Sequence, residues 1–235
     1  MMKQLAVQMK WQFLILHKNN LINVSIALTV VYGLIFWGLK DLGDLSKILT
    51  LLIFNDPALI GLLFVGLAYI MEKNQGVTYA LRVLPVHFHT QLLARMFSLS
   101  IIGMLCAFGM AVPVMLLNFN IPVFLMGVLG ICLIFSCIGI WVLSYSSEFL
   151  VFMLKCIPFL LICSLIFLNY FGVTDIWLFN LLPVNSSLKL ISHSFTPELS
   201  SPEIILHSVI SLAWFIALYF ISSRTFKTRF LGATH

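Results

Sequence analysis

Charged side chains are scarce in this sequence. Asp, Glu, Lys and Arg together make up 9% of the 235 residues, against about 25% in soluble globular proteins. Acidic residues are scarcer than basic ones, with 8 Asp and Glu against 13 Lys and Arg. So few charges cannot cover a water-exposed surface, and this excludes an ordinary soluble domain.

Several motifs of familiar enzyme and binding classes are also missing. The chain has no GxxxxGK[ST] phosphate loop, no GxSxG or HExxH motif and no pair of intramembrane aspartates. Its basic residues are scattered and do not form the patch that nucleic acid requires. The cysteines lie in apolar runs, at spacings that do not suggest a metal, and are expected to behave as small hydrophobes. The sequence therefore predicts no catalytic residue, no metal site, no cofactor in this chain and no nucleic-acid partner.

Long apolar runs make up most of what is present. Hydrophobic residues account for 61% of the chain, and the mean hydropathy is +1.09. The runs are continuous and long enough to cross a bilayer, which favours membrane-spanning helices over strands of alternating hydrophobicity. The prediction is an all-α polytopic membrane protein, a single transmembrane domain over 1–235. Its six spans are expected near 21–39, 48–71, 96–117, 123–145, 150–171 and 203–221.

Residues 1–20 have an amphipathic pattern that places Leu5, Met9, Phe13 and Leu16 on one helical stripe. A basic amphipathic helix beside a span favours an interfacial position on the cytoplasmic side, and an inward extension of the first span is the alternative. No small-residue cleavage site precedes the first span. We therefore expect that span to be retained as an anchor.

Charge distribution predicts the orientation. With the N-terminus inside and six spans, most Lys and Arg residues fall on the cytoplasmic side, while Lys40, Lys47 and Lys189 fall outside with most of the acidic residues. This asymmetry follows the positive-inside rule, so both termini are predicted to be cytoplasmic. Residues 172–202 form the longest outer segment, and its apolar pieces could dip into the membrane without crossing it.

The second predicted span contains three residues that are unusual in lipid: Asn55, Asp56 and Pro57. A carboxylate near the centre of a bilayer costs about 2.5–3.5 kcal/mol on insertion scales. The pattern predicts a helix break or kink near the outer side. Two interpretations of Asp56 stay open, a helix cap within a protein-lined break or, with Asn55, part of a polar translocation path.

Residues 72–95 form a hydrophilic interruption that is longer than a turn. Glu72 and Lys73 mark the exit from the membrane, Gly76 permits a sharp turn, and Pro85 ends a short helix. Four apolar residues of that helix can face one groove of a partner protein: Val77, Ala80, Leu81 and Leu84. Arg82 lies off this apolar stripe. The alternative is a short helix on lipid headgroups with no protein partner.

Residues 56–66, 72–77 and 80–86 together resemble the region from the second span to the coupling helix of type-2 ABC transporter permeases. The pattern of Glu72-Lys73, Gln75-Gly76, Ala80-Leu81 and Pro85 is similar to that of the fluoroquinolone-export-like branch of the family. The N-terminal amphipathic helix is similar to the family's elbow helix, and residues 182–188 resemble its Pro-led outer segment. This sequence has Leu84 where the family commonly has Thr.

The resemblance implies a permease half, integral to the cell (inner) membrane, that exports a hydrophobic or amphipathic substrate by alternating access. Its partners would be membrane lipid, a second permease half (in a homodimer or heterodimer) and separate ABC ATPase subunits, which hold the ATP and Mg²⁺. The chain itself would not be an enzyme and has no nucleotide-binding domain. The implied contacts with the ATPase lie in a cytoplasmic coupling helix: Glu72, Gly76, Val77, Ala80, Leu81, Arg82, Leu84 and Pro85. The alternative function is a polytopic membrane enzyme, or an accessory membrane subunit with no role in transport.

Overall fold

The computed structural model describes residues 2–39, 46–74, 76, 88–146, 148–196 and 199–231. Every regular element in these ranges is a helix. The α-helices are α1 (Met2–Lys18), α2 (Leu21–Leu39), α3 (Ser46–Leu59), α4 (Val65–Asn74), α5 (Phe88–Met115), α6 (Ile121–Leu143), α7 (Phe149–Ser164), α8 (Ile166–Tyr170), α9 (Asn185–Phe195) and α10 (Ser201–Phe226). A π-helical turn (Ile60–Phe64) joins α3 to α4, a second one (Lys227–Leu231) follows α10, and Trp177–Leu181 is a 3₁₀-helix.

Six helical stretches are long and apolar enough to cross a membrane: Leu21–Leu39, Ser46–Asn74, Phe88–Met115, Ile121–Leu143, Phe149–Tyr170 and Ser201–Arg229. They confirm the six predicted spans as helices of spanning length. The third begins at Phe88, eight residues before the expected position of 96. Hydropathy placed that boundary late because it scored Arg95 as solvated, whereas Arg95 is 2% exposed in the structure.

Helix α6 lies at the centre of the bundle. Its most apolar stretch is largely buried, whereas few residues of the most apolar stretch of α10 are fully buried. α6 packs against α3 and its π-helical turn, and also against α5, α9 and α10. It has no charged residue, and its glycines allow neighbouring backbones to approach closely. Most of the remaining spans therefore pack around one apolar helix, whereas α2 packs against α5.

The second span is not broken at Asn55, Asp56 and Pro57; a kink there, the other form of the prediction, stays a prediction. α3 continues through Asp56 and Pro57 to Leu59, and the π-helical turn then leads directly into α4. Asp56 therefore lies inside a helix and does not cap one, which corrects that interpretation. Close packing on α6 holds the irregular turn: a Cβ added at Gly61 would lie 2.6 Å from the Cys132 carbonyl oxygen, and one at Gly139 would lie 2.5 Å from the Leu62 carbonyl oxygen.

Within the segment 172–202, helix α9 turns back into the bundle. Ser187 Oγ lies 2.9 Å from Ser211 Oγ and would contact a Cβ at Gly130 at 2.6 Å. At the other end of α9, the Asn120 backbone N–H donates to the Ser194 carbonyl oxygen at 3.0 Å. α9 therefore begins inside the bundle, beside Gly130 of α6, and ends next to Asn120, just before α6 begins. Its 11 residues extend about 16 Å, too short to cross a bilayer, so the segment enters the bundle without crossing it.

Candidate functional site

Two carboxylates are buried in the helical run Ser46–Asn74. Asp56 is 5% exposed and Glu72 is 3% exposed. A buried charge is unfavourable unless it is paired or neutralised. The surroundings of these two side chains therefore define what each can do.

Glu72 is paired with an arginine of another helix. Arg95, on α5, donates from Nη2 to Glu72 Oε1 and forms a buried ion pair. Its Nε donates to Gln12 Oε1 on α1 at 3.2 Å. Its Cζ also lies 3.7 Å from the centre of the Tyr69 ring on α4, a cation–π contact. We call these four residues, Gln12, Tyr69, Glu72 and Arg95, the Arg95 cluster; it joins α1, α4 and α5 at one guanidinium.

The chemistry of arginine explains why it can occupy this place. A guanidinium has five donors in a plane and stays charged in a protein, so its burial requires several acceptors or an aromatic face. Glu72, Gln12 and Tyr69 supply these. The ion pair has a single hydrogen bond, because Arg95 Nη1 and Glu72 Oε2 make none with the described residues. Breaking such a pair by removing one partner leaves an uncompensated charge and typically costs about 3–5 kcal/mol.

Glu72 and Arg95 of the Arg95 cluster are the first and last residues of the hydrophilic interruption 72–95. Glu72 is two residues from Asn74, where α4 ends, and Arg95 is two turns from Phe88, where α5 begins. Gly76 has φ +71°, a conformation that favours glycine, and its N–H donates to the Lys73 carbonyl oxygen at 3.1 Å. The ion pair thus ties together the two helix ends from which residues 77–87 extend.

Aromatic contacts bring the last long helix to the same end. The Phe226 ring stacks on Phe88 with centroids 5.9 Å apart and lies 4.9 Å from Tyr69. His89 Nδ1 and Tyr219 Oη are 2.8 Å apart. α10 is therefore anchored where α4 and α5 meet.

Most of the predicted ATPase-contacting residues lie outside the described residues: Val77, Ala80, Leu81, Arg82, Leu84 and Pro85. Of the other two, Gly76 is exposed, and Glu72 is buried with its carboxylate on Arg95. The sequence reasoning assigned no role to Arg95, Tyr69 or Gln12. One feature of the sequence could have indicated the ion pair. A Glu and an Arg stand at the two ends of one interfacial segment, where an ion pair between them would hold those ends together.

Asp56 has different neighbours. Its Oδ2 makes no hydrogen bond to any described residue. Cys106 on α5 and Cys132 on α6 lie within electrostatic range of its carboxylate. The Cys132 thiol donates to the Pro57 carbonyl oxygen at 3.3 Å. Asn55, the other candidate for a translocation path, is partly buried.

A metal ion needs several ligands that converge. In the parts of the chain that the structure describes, no three His, Cys, Asp or Glu side chains are grouped as such a site requires. A scan against models of protein families finds no match, and a search of curated proteins finds no similar sequence.

Proposed function

We propose that the chain is the membrane-spanning subunit of an ATP-driven transporter, a type-2 ABC permease half that exports a hydrophobic or amphipathic substrate. It would work with separate ATPase subunits and a second permease half. The observation that carries the proposal is the position of the Arg95 cluster. The cluster joins the end of α4 and the first turns of α5, which flank residues 77–87, to each other and to α1. A segment that receives force from another protein needs such a connection to pass the force on.

The Arg95 cluster supports a simple route for that force. An ATPase subunit that moves residues 77–87 would move α4 and α5 together, because the ion pair and the cation–π contact oppose their separation. α4 continues through the π-helical turn into α3. A displacement at the end of α4 would therefore reach the centre of the bundle, and movement of packed helices of this kind underlies alternating access.

Charge and exposure support the orientation within this proposal. Lys10, Lys18, Lys73, Arg224, Lys227 and Arg229 are exposed at the end of the bundle that holds the Arg95 cluster. By the positive-inside rule this end is cytoplasmic, and with it both termini. Helix α1 exposes Val7, Trp11 and Leu14 beside its lysines. Such a mixture suits a helix in the membrane interface, so we propose α1 as the elbow helix.

Co-purification with an ATPase tests the proposal. The tagged chain would be expressed with candidate ABC ATPases from the same genome, purified, reconstituted and assayed for ATP hydrolysis. We expect a stable complex, which the double variant Leu81→Asp/Arg82→Glu loses while its melting temperature stays that of the parent chain. Lys189→Glu, in α9 at the other end of the bundle, is the matched charge-reversal control and should keep the complex.

Two outcomes would contradict the proposal. If the double variant binds the ATPase and supports hydrolysis as the parent chain does, residues 77–87 do not couple the two proteins. If no ATPase associates with the chain at all, the accessory-subunit or membrane-enzyme alternative takes precedence.

A further inference from the structure

We propose that Asp56 is a proton-binding site: it carries a proton while the bundle is packed and exchanges it with water when the helices separate. The binding half of this inference concerns the folded chain alone. The exchange half rests on the proposed transport function, because it needs a cycle that opens the bundle.

The depth of Asp56 is the first argument. Pro57, its neighbour, accepts a hydrogen bond from Cys132 at 3.3 Å. Cys132 is eleven residues from Ile121 and eleven from Leu143, the two ends of α6. Asp56, on α3, therefore lies level with the middle of α6, the most buried span, at a depth where ionisable side chains are rare and usually functional.

The second argument is the lack of a counter-charge. Asp56 forms no ion pair with the described residues, and its Oδ2 accepts no hydrogen bond from them. The titratable groups facing it are the thiols of Cys106 on α5 and Cys132 on α6, which bring no positive charge. On α2, the hydroxyl of Thr29 lies beside Cys106 and donates to the Ser25 carbonyl oxygen at 2.8 Å.

Helix α9 also packs against α3, and its titratable residues are engaged elsewhere. Lys189 interacts with Glu203 and His207 of α10. His193 Nδ1 accepts the Leu199 backbone N–H at 2.9 Å. Neither supplies a cation to Asp56. The π-helical turn, IGLLF, has no titratable side chain.

The third argument is the lack of room for a larger ligand. A Cβ added at Gly103 would lie 2.4 Å from Cys132 Sγ and 3.5 Å from Pro57 Cβ. α3, α5 and α6 are thus in direct contact around Asp56. An isolated carboxylate in such surroundings is far more costly than a neutral carboxyl group. A proton requires no cavity, and it removes the charge.

The exchange step is a proton transfer between one carboxyl group and water. The packed state holds Asp56 as the acid. When α3 separates from α5 and α6, water reaches the carboxyl group, accepts its proton and solvates the carboxylate that remains. Repacking requires a proton from water again. The π-helical turn begins four residues after Asp56, and such turns often occur at functional sites.

Infrared spectroscopy of the purified, reconstituted chain tests the binding half. At neutral pH we expect a carboxylic-acid C=O band that the Asp56→Asn variant loses. The matched control is Asp175→Asn, which removes an exposed carboxylate and should leave the band unchanged. A spectrum in which no acid band at neutral pH depends on Asp56 would overturn the proposal.

Proteoliposomes that contain the chain and its ATPase, with a pH-sensitive dye in the lumen, test the exchange half. We expect an ATP-dependent pH change that falls to background, per ATP hydrolysed, in Asp56→Asn and persists in Asp175→Asn. An acid band without any ATP-dependent pH change would overturn exchange. Failure to find an ATPase partner would instead count against the proposed transport function, and the infrared result would still decide proton binding.

Discussion

Glu72 and Asp56 lie sixteen residues apart on one continuous helical run, about 24 Å along its axis. Both are at most 5% exposed. Glu72 is paired with a guanidinium that two further side chains support. Asp56 is surrounded by thiols and packed glycine, with no cation. Helix ends near an interface can recruit polar partners such as Gln12 from α1, whereas the described residues around Asp56 offer it no counter-charge.

The difference separates two roles for a buried acid. A paired carboxylate holds two helices together, and its removal leaves the partner charge uncompensated. An unpaired one is stable only when neutral, so that any opening which admits water changes its charge. The same helix thus contains a fixed connection at one end and a responsive group near its middle.

Removing the charge of Glu72 should have the largest effect. Glu72→Gln leaves Arg95 buried and charged, because a guanidinium cannot lose its proton. We expect a loss of about 3–5 kcal/mol in the free energy of unfolding, measured by thermal unfolding in detergent.

Arg95→Met is the matched reverse experiment. It leaves Glu72 without a counter-charge, like Asp56, and a carboxyl group can take up a proton. The folded state would then bind a proton that the unfolded state releases, so the loss of stability should shrink as the pH is lowered. Glu72→Gln should show no such recovery. Equal and pH-independent losses in the two variants would contradict this difference.

Between the two acids, Gly61→Ala should destabilise by about 1–3 kcal/mol through overpacking, because the new Cβ would lie 2.6 Å from the Cys132 carbonyl oxygen. Gly38→Ala is the control, since a Cβ there meets nothing within 4 Å. It should be neutral or slightly stabilising. Equal melting temperatures for the two alanine variants would show that the π-helical turn does not depend on its contact with α6.

Gln12→Leu tests the contribution of α1 to the paired site. It removes the acceptor for Arg95 Nε, and we expect a loss of about 1–2 kcal/mol. Gln4→Leu, at an exposed position of the same helix, should leave the melting temperature unchanged. If both variants unfold like the parent chain, α1 does not help to hold the guanidinium.

Asp56→Asn should have the smallest effect. Asn has nearly the same shape as a protonated Asp, so we expect a change below about 1 kcal/mol in the free energy of unfolding. Glu72→Gln is the same chemical change at the paired site and should cost several times more. Similar losses at the two positions would mean that Asp56 has a counter-charge in the folded protein.

Hydropathy alone determined the helical class and the number of spans, because crossing a bilayer requires about twenty apolar residues in a row. α2 was predicted with the bounds that the structure has. The ATPase-contacting residues among 77–87 lie outside the described residues, and their assignment stays a prediction from the resemblance. The sequence also indicated that Asp56 was unusual.

Tertiary structure decided the rest. Continuity of the helix through Pro57 depends on packing against α6, and the return of α9 into the bundle depends on Gly127 and Gly130. Arg95 is 83 residues from Gln12 and 23 from Glu72, so no local pattern could show that it would be buried. A hydropathy score sums each residue's own preference for lipid. Whether a buried charge is stable depends on what other helices place beside it, and this distinguishes Glu72 from Asp56.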